Sequence, residues 1–285
     1  MTEIPNHSFA EMLSSYDGRR PEKTQDNSAK PEILNIPNKA GLKEKAFSLA
    51  RNAAKRFDKT TENDAGLESD YGEEGSIKRV PLVHEVLDAT APLSLIVFKS
   101  FNNLQGSQDN RPELNVAFIK TDISTVDLNS VTKGWFKENE IASVTYAHSG
   151  TEFELKDRFV PPKYRDQDFG SMIFNTSEEF IKQYAKDKQK ECKITVNNAA
   201  QLQVMRWLWK HGFTPENEQK LADIFNGDER FILQSIENWD HVVLEKTDQG
   251  FTSGTMLFEK KYAPEVSEEI VEIADIVQKG SRMIT

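Results

Sequence analysis

Apolar and polar residues are arranged differently in the N-terminal part of the chain and in the remainder. Residues 1–38 are rich in Pro, Asn, Ser, Asp and Lys and contain only scattered apolar positions. Such a segment buries too little apolar surface to offset the entropy cost of ordering the chain. We therefore predict that residues 1–38 form a disordered tail.

Residues 39–76 are predicted to form a basic helix followed by an acidic linker. The stretch 40–59, AGLKEKAFSLARNAAKRFDK, repeats apolar residues at helical spacing and carries basic residues elsewhere. Its apolar face consists of Phe47, Ala50, Ala54 and Phe57. The linker, TTENDAGLESDYGEEGS, contains six acidic residues and no basic residue. Three interpretations remain open: the basic helix and the acidic linker attract one another, the basic helix binds an acidic protein partner or anionic lipid, or the region is a solvated tether.

Short apolar runs separated by turn residues follow the linker. They predict strands at 93–101 (LSLIVFKSF) and 113–120 (ELNVAFIK). A helix capped by Asp122 or Ser124 is predicted to extend to about Phe136.

A hairpin and a long helix come next. The stretches EIASVTYAH (140–148) and EFELKDRFV (152–160) are predicted strands, joined by the turn Ser149-Gly150-Thr151. A helix is predicted from Phe169 to about Lys188, because apolar residues recur there at helical spacing.

The C-terminal part continues this mixture of strands and helices. The predicted elements are a strand at 192–196, a helix at 199–213, a helix from Thr214 to about Phe225, antiparallel strands at 240–246 and 255–262, and an amphipathic helix within the tail 265–285 built on Val266, Ile270, Ile273 and Val277. Gly212 is expected to end the helix at 199–213 in a left-handed conformation. The order of elements predicts an α+β or α/β domain over residues 77–264, with a sheet layered by helices.

Composition narrows the classes of function. A formal charge of −10 and a pI near 5.2 argue against nucleic-acid binding, which needs a basic surface, and favour a small-molecule or protein partner.

The single Cys192 excludes an internal disulfide and a multi-cysteine zinc site. No long apolar run and no signal-peptide pattern occur, so we expect no membrane span and a cytoplasmic location. His84, His148 and His241 lack metal-ligand spacing, and we expect no metal.

The most informative stretch is FVPPKYRDQDFGSMIFNTSEEF, residues 159–180, which falls at a predicted strand-to-helix junction. The first N–H groups of a helix have no partner within the helix, and the helix dipole makes this end positive, so such junctions bind anionic groups. Gly170 allows the backbone to approach a diphosphate closely. The loop therefore has the pattern of a phosphate site.

Two stretches resemble the GCN5-related N-acetyltransferases. VPPKYRDQDFGSMI (160–173) resembles the coenzyme A loop of that family, where a strand ends in valine and is followed by Pro-x-Tyr-Arg, Arg/Gln-x-x-Gly-x-Gly/Ala and a helix. ITVNNAAQLQVMRWLWKHGF (194–213) resembles the next strand and helix, which close with the pair Gly212-Phe213. The resemblance covers residues 140–213 and, more loosely, 241–262.

The resemblance implies a mixed, mostly antiparallel central sheet flanked by helices, and an acyl-coenzyme A-dependent N-acetyltransferase. The co-substrate would be acetyl-coenzyme A or another acyl-coenzyme A, and the acceptor a primary amine of a small molecule or protein. Backbone amides after the strand would polarise the thioester carbonyl. The implied cofactor-binding residues are Phe159, Val160, Arg165, Gln167, Asp168, Phe169, Gly170, Ser171 and Gln201.

Two acidic residues depart from the loop pattern of the family. Asp168 stands where the central glycine belongs, and Asp166 replaces another frequent glycine. Two like charges a few ångströms apart interact by about 1 kcal/mol in water and by about 4 kcal/mol at an effective dielectric constant of about 20. Aspartates that face the diphosphate would weaken coenzyme A binding, whereas aspartates that point outward would cost little.

The resemblance also suggests catalytic residues. Glu154 lies eleven residues before Arg165, which resembles the position of the base that deprotonates the amine in histone-acetylating members. In an alternative interpretation, Glu152, Glu154 and Asp157 simply mark a solvent-facing side of a strand. Leu208 occupies the position where members often carry a tyrosine acid, and His211 is the candidate substitute. Two functions thus remain open: an N-acyltransferase, or a catalytically silent binding or regulatory module.

Overall fold

A computed structural model of the protein describes residues 32–34, 36, 38–64, 67–70, 75–104, 110–126, 133–236 and 240–264. The chain divides into two units. The first unit contains the described residues from 32 to 195 and from 261 to 264, and the second contains residues 196–260. Most of the predicted tail 1–38, and the predicted helix within 265–285, lie outside the described residues.

A mixed, mostly antiparallel sheet forms the centre of the first unit. The elements of this unit are α1 (Lys39–Phe57), β1 (Leu67–Asp70), β2 (Gly75–Asp88), β3 (Leu93–Leu104), β4 (Glu113–Ile119), α2 (Lys133–Asn139), β5 (Glu140–Ser149), β6 (Glu152–Phe159), α3 (Phe169–Lys188) and the start of β7 (Cys192–Ala199). The strands β1 to β7 pair in chain order. All pairs among them are antiparallel except the parallel pair β6–β7. The predicted mixed sheet flanked by helices is confirmed.

The second unit is built from smaller pieces. Its elements, after the end of β7, are α4 (Leu202–Lys210), β8 (Thr214–Pro215), α5 (Glu218–Asn226), β9 (Phe231–Ile236), β10 (Asp240–Thr247), β11 (Gly250–Ser253) and β12 (Met256–Tyr262), whose last two residues belong to the first unit. The strands β9, β10 and β11 form an antiparallel sheet, and β8 pairs with β12.

Helix α1 is part of the core of the first unit. Its buried residues are Leu42, Ala46, Ala50, Ala53, Ala54 and Phe57. The four alanines leave little side-chain bulk, which lets α1 lie close against α3. Phe57 meets Phe180 of α3 edge to face, with ring centroids 5.4 Å apart, and Arg51 forms an ion pair with Glu179 at 2.8 Å. The apolar face was predicted, but α1 is a packed helix and not a solvated tether.

The acidic linker contains strand structure that its composition does not indicate. Strand β1 pairs with β2 from Leu67–Arg79 to Asp70–Ser76, so these linker residues belong to the sheet. Strand β2 itself was not predicted. Its register against β3 shifts at two places, between Pro81 and Val83 and between Val86 and Asp88. Such bulges interrupt the alternation of apolar and polar residues by which a strand is recognised.

Lys99 on β3 binds the C-terminal end of α1. Its ammonium group is buried and donates to the carbonyl oxygens of Phe57 and Thr60, both at 3.0 Å. The same group lies 4.6 Å from the centroid of the Phe57 ring. Burial lowers the pKa of Lys99 from its usual value. The contact places a positive charge at the negative end of the helix dipole.

Three other predicted elements differ from the structure. Asp122 accepts from the Ser124 N–H at 3.0 Å, as a cap should, but it caps a short 3-10 turn, and α2 begins only at Lys133. Thr214–Pro215 forms strand β8, and α5 begins at Glu218, where Asn217 caps it. The predicted strands at 240–246 and 255–262 exist but pair with other partners, which include β9 and β11 for the first and β8 for the second.

Candidate functional site

The candidate site begins on strand β6, which is paired on its β7 side only over a short stretch. The parallel ladder comprises the pairs Glu152–Lys193, Phe153–Ile194 and Glu154–Thr195. On its other side β6 follows β5 to Phe159, with a register shift that makes Lys156 an extra residue between Leu155 and Asp157. A bulge of this kind bends and twists a strand. The second half of β6 therefore leaves the β7 ladder, so its backbone edge is suited to bind an extended ligand.

The loop between β6 and α3, residues 160–168, is anchored by buried side chains. Pro161 and Tyr164 are buried, and the Tyr164 ring packs edge to face on Phe169 with centroids 6.5 Å apart. The Tyr164 N–H donates to the Pro161 carbonyl at 2.9 Å, which closes a 3-10 turn over Pro162–Tyr164. These contacts fix the first half of the β6–α3 loop before it reaches the helix.

Asp166 and Asp168 both adopt left-handed backbone conformations, with φ of +63° and +65°. This region favours glycine, and aspartate is among the few other residues that tolerate it. Both side chains are exposed, and Asp168 makes no side-chain hydrogen bond that caps α3. The carboxylates therefore stand at positions where the backbone geometry itself calls for glycine.

The N-terminus of α3 lies beside the end of β6. A Cβ atom on Gly170 would come within 3.3 Å of Val160 Cγ2 and 3.4 Å of Arg158 Nη1. A side chain at this position would require Val160 or Arg158 to shift by a few tenths of an ångström, and a guanidinium group lies beside the first turn of the helix. Arg165 is exposed and donates from Nε to the Val160 carbonyl at 3.2 Å. A positive helix end flanked by two arginines provides an electrostatic environment that attracts an anion.

Residues 32–34, which composition places in the disordered tail, lie against the β6–α3 loop. The side chain of Gln167 bonds to their backbone: Nε2 donates to the Glu32 carbonyl at 2.8 Å, and Oε1 accepts from the Leu34 N–H at 3.1 Å. The Glu32 N–H donates to the Lys163 carbonyl at 3.0 Å. The Tyr164 hydroxyl donates to the Glu32 carboxylate at 3.0 Å, and burial raises the pKa of this tyrosine.

The other predicted cofactor-binding residues occupy varied environments. The Phe169 ring is buried in the core, so only its backbone is available to a ligand. Ser171 and Val160 are half-buried, and Phe159, the last residue of β6, is 38% exposed. Gln201 lies in the second unit, where it forms an isolated bridge with Val242.

Glu154 is engaged by two cations. Its carboxylate accepts from Arg111 at 2.5 Å and from Lys156 at 3.1 Å, and its side chain is 14% exposed. It points to the side of the sheet opposite α1 and α3, because its neighbour Phe153 packs on Phe180 of α3. The sequence indicates the acidic residue on this strand, but not Arg111, which lies 43 residues away.

Glu152 lies on the same face and bonds to the neighbouring strand. Its carboxylate accepts from the Thr195 hydroxyl at 3.0 Å and pairs with Lys193 at 3.3 Å. Glu152 and Glu154 thus form specific side-chain contacts, in addition to facing away from the helices of the first unit.

The candidate acid lies in the second unit. The His211 ring bonds through Nδ1 to the Trp207 carbonyl at 2.8 Å, with the two ring centroids 4.2 Å apart. Lys260 donates to the His211 carbonyl at 2.7 Å, and Leu208 is fully buried. Gly212 has φ of +77°, which confirms the predicted left-handed helix end. Glu154, the predicted base, belongs to the first unit, and His211, the predicted acid, belongs to the second.

Among the described residues, no group of three or more His, Cys, Asp or Glu side chains is placed to bind a metal ion. Within the same part of the chain, no helix has both the length and the apolar character needed to cross a membrane.

The fold and the β6–α3 loop define a mixed-sheet protein with a strand–loop–helix junction suited to anions. No protein-family model matches the chain, and neither does any curated protein. Among solved structures, the PaiA N-acetyltransferase of Thermoplasma acidophilum in complex with coenzyme A aligns over 53% of this chain and 61% of its own, with 13% identity and a TM-score of 0.22. An aminoglycoside 6'-N-acetyltransferase complexed with coenzyme A aligns over 54% of this chain and 76% of its own, with 12% identity and a TM-score of 0.25. The aligned part thus spans less than two thirds of the first of these chains.

Proposed function

We propose that the protein binds an acyl-coenzyme A at the β6–α3 loop and transfers the acyl group to a primary amine. The observation that carries the proposal is the left-handed backbone of Asp166 and Asp168 immediately before the first turn of α3. Positive φ at these two positions turns the chain so that it enters a long helix directly after a tight loop. A loop of this form supports binding of a diphosphate through backbone N–H groups.

The helix dipole and a neighbouring arginine support the same ligand, against the opposing carboxylates of Asp166 and Asp168. The dipole of α3 makes its first turn positive, and Arg158 lies beside this turn at Gly170. Arginine binds phosphate groups with strong, charge-assisted hydrogen bonds. Beyond the loop, the backbone edge of β6 that leaves the β7 ladder would bind the amide groups of the pantetheine arm.

For the transfer step we propose that Glu154 acts as the base and accepts a proton from the attacking ammonium group through water. The amine nitrogen then attacks the thioester carbonyl carbon, and the carbon–sulfur bond breaks to release the coenzyme A thiolate. A backbone amide near Val160 would stabilise the oxyanion. Glu154 is partly buried, and Arg111 and Lys156 hold its carboxylate in place. Acetyl is the proposed acyl group.

A second candidate function is a coenzyme A-binding module without transfer activity. Two observations favour it. Both carboxylate oxygens of Glu154 already accept hydrogen bonds, from Arg111 and Lys156, and the buried Leu208 stands where the resemblance places an acid. The two functions share the ligand and differ only in turnover.

A transfer assay with Glu154→Gln separates these functions. If Glu154 is the base, we expect this substitution to lower kcat for acetyl transfer to an amine by about a hundredfold and to leave the Kd for acetyl-coenzyme A unchanged. Glu152→Gln is the matched control, because it makes the same change on the same strand face. Binding of acetyl-coenzyme A without turnover in the wild-type protein, over a broad panel of amines, would establish the silent module instead.

A further inference from the structure

We infer that residues 32–34 are an integral part of the candidate coenzyme A site, and that Glu32 and Gln167 are positioning residues that hold the β6–α3 loop in its binding conformation. This inference rests on the proposed function for its consequence, but not for its structural basis. In sequence Gln167 occupies a cofactor-binding position of the loop motif. In the structure its side chain instead bonds to the N-terminal segment.

The first basis is the hydrogen-bonding geometry of Gln167. Its amide group donates to one backbone group, the Glu32 carbonyl, and accepts from another, the Leu34 N–H. One carboxamide therefore binds an extended segment at two points, as a neighbouring strand would. The Glu32 N–H adds a third bond, to the Lys163 carbonyl. Together the three bonds link residues 32–34 to both ends of the stretch 163–167.

The second basis is the carboxylate of Glu32. It accepts from the Tyr164 hydroxyl, lies 3.9 Å from the Lys163 ammonium group and forms an ion pair with Lys120 at the end of β4. The carboxylate thus joins the loop to a strand of the central sheet. Isolated surface ion pairs contribute little, but a carboxylate with several partners restrains all of them.

Apolar burial contributes only part of this docking. Ile33 is 82% exposed, whereas Leu34 is half-buried and Ile36, just outside the segment, is buried. The backbone bonds and the carboxylate of Glu32 supply the polar contacts that fix the position of the segment. Hydrogen bonds are directional, so these contacts can hold the β6–α3 loop in one orientation.

The consequence concerns the entropy cost of binding. A loop that must present backbone N–H groups to a diphosphate binds more tightly when these groups are already oriented. Residues 32–34 hold the loop at the Lys163 carbonyl and at the side chain of Gln167, the residue before Asp168, and so restrain the stretch that leads into α3. Releasing the segment should increase motion in the loop and weaken coenzyme A binding without altering the ligand's own contacts.

The test uses the full chain with Leu34→Pro, which removes the N–H group that Gln167 binds. Leu34→Ala is the matched control, because it shortens the side chain and keeps the N–H. Gln167→Leu removes, at nearly constant volume, the two side-chain bonds to residues 32–34 and a longer one of 3.5 Å to the Lys163 carbonyl. Each variant is measured for hydrogen exchange of the backbone amides of residues 163–170 and for the Kd of coenzyme A.

We expect Leu34→Pro and Gln167→Leu each to raise exchange in residues 163–170 by roughly tenfold and to weaken coenzyme A binding by three- to tenfold, as follows from losing about one or two net hydrogen bonds. The double variant should show little further change, because both substitutions break the same contact. Exchange within the middle of α3 and the effect of Leu34→Ala should stay close to wild type.

The possible results are distinct. Unchanged exchange in residues 163–170 in both single variants overturns the inference. So do additive effects in the double variant, which would show that Gln167 acts on the ligand independently of residues 32–34. Faster loop exchange in a protein that does not bind coenzyme A supports the positioning role and overturns the proposed function instead.

Discussion

Asp166 and Asp168 combine a favourable backbone with an unfavourable charge. Both adopt positive φ, which aspartate tolerates better than most residues, and both side chains are exposed. Exposure means that water screens much of the repulsion between these carboxylates and a bound diphosphate. The two aspartates are therefore compatible with an anion site, and they should reduce its affinity to a modest extent.

The first prediction isolates the charge of Asp168. Asp168→Asn removes a negative charge and keeps a residue that tolerates left-handed backbone, so the free energy of unfolding should remain close to wild type. We expect coenzyme A to bind about fivefold more tightly, corresponding to about 1 kcal/mol for a charge a few ångströms from a phosphate in a water-like medium. Calorimetric titration provides the measurement.

The control for this prediction is Asp187→Asn, which makes the same change near the other end of α3. It should leave the affinity unchanged, because it lies roughly 30 Å away along the helix. Equal or weaker binding by Asp168→Asn would show that the carboxylate does not oppose the ligand.

The candidate site could be predicted from sequence only where its residues are close along the chain. The junction, Arg165 and Gly170 follow from a local motif, and the structure places them at the start of α3. The partners of Glu154 and Gln167 could not be predicted. Arg111 binds Glu154 from 43 residues away, and residues 32–34 bind Gln167 from more than 130 residues away. Such pairs depend on the tertiary fold, about which local spacing carries no information.

The same distinction applies to the helices and strands. Helix α3 begins and ends where its apolar spacing predicts, at Phe169 and Lys188, and the hairpin of β5 and β6 has its predicted turn. Both are determined by local patterns. In contrast, the role of α1 depends on contact with α3, and the pairing of β8 with β12 joins segments about 40 residues apart. The sequence of α1 also fits a solvated tether, and the sequence of β8 also fits the start of a helix.

The second prediction concerns the attachment of α1. Lys99 binds the last carbonyl groups of the helix from a buried position, so Lys99→Met leaves these carbonyls without the ammonium group. We expect the free energy of unfolding to fall by about 2 kcal/mol, the typical contribution of hydrogen bonds to a charged group. Chemical denaturation of the full chain measures this change.

Lys43→Met is the matched control, because Lys43 is an exposed lysine on α1 itself. Its effect should be within about 0.5 kcal/mol of zero, as for most surface substitutions. A Lys99→Met protein as stable as the control would mean that α1 is held by its apolar face alone.

At the level of the whole molecule, the first unit contains most of the proposed site. The β6–α3 loop, Glu154 and residues 32–34 all belong to it, whereas His211 and Gln201 belong to the second unit. The structural domain therefore begins well before residue 77, where the change in sequence pattern placed its boundary. A truncated protein that starts there would lack both α1 and the segment that binds Gln167.

Because the chain carries a formal net charge of −10, binding of coenzyme A tests whether the protein has a local positive site. An acidic protein repels a polyanion in general, so tight binding of coenzyme A requires a local positive site. The N-terminus of α3 with Arg158 and Arg165 is the site that we propose. Binding should therefore depend on the diphosphate of the ligand.

The most direct test is calorimetric titration of the protein with coenzyme A and, separately, with pantetheine, which lacks the diphosphate together with the 3′-phosphoadenosine. We expect coenzyme A to bind with a micromolar Kd and pantetheine to bind at least about a hundredfold more weakly, because two or more charge-assisted hydrogen bonds are lost. Equal binding of the two ligands would contradict a diphosphate site at the β6–α3 loop, and no binding of coenzyme A would contradict the proposed function itself.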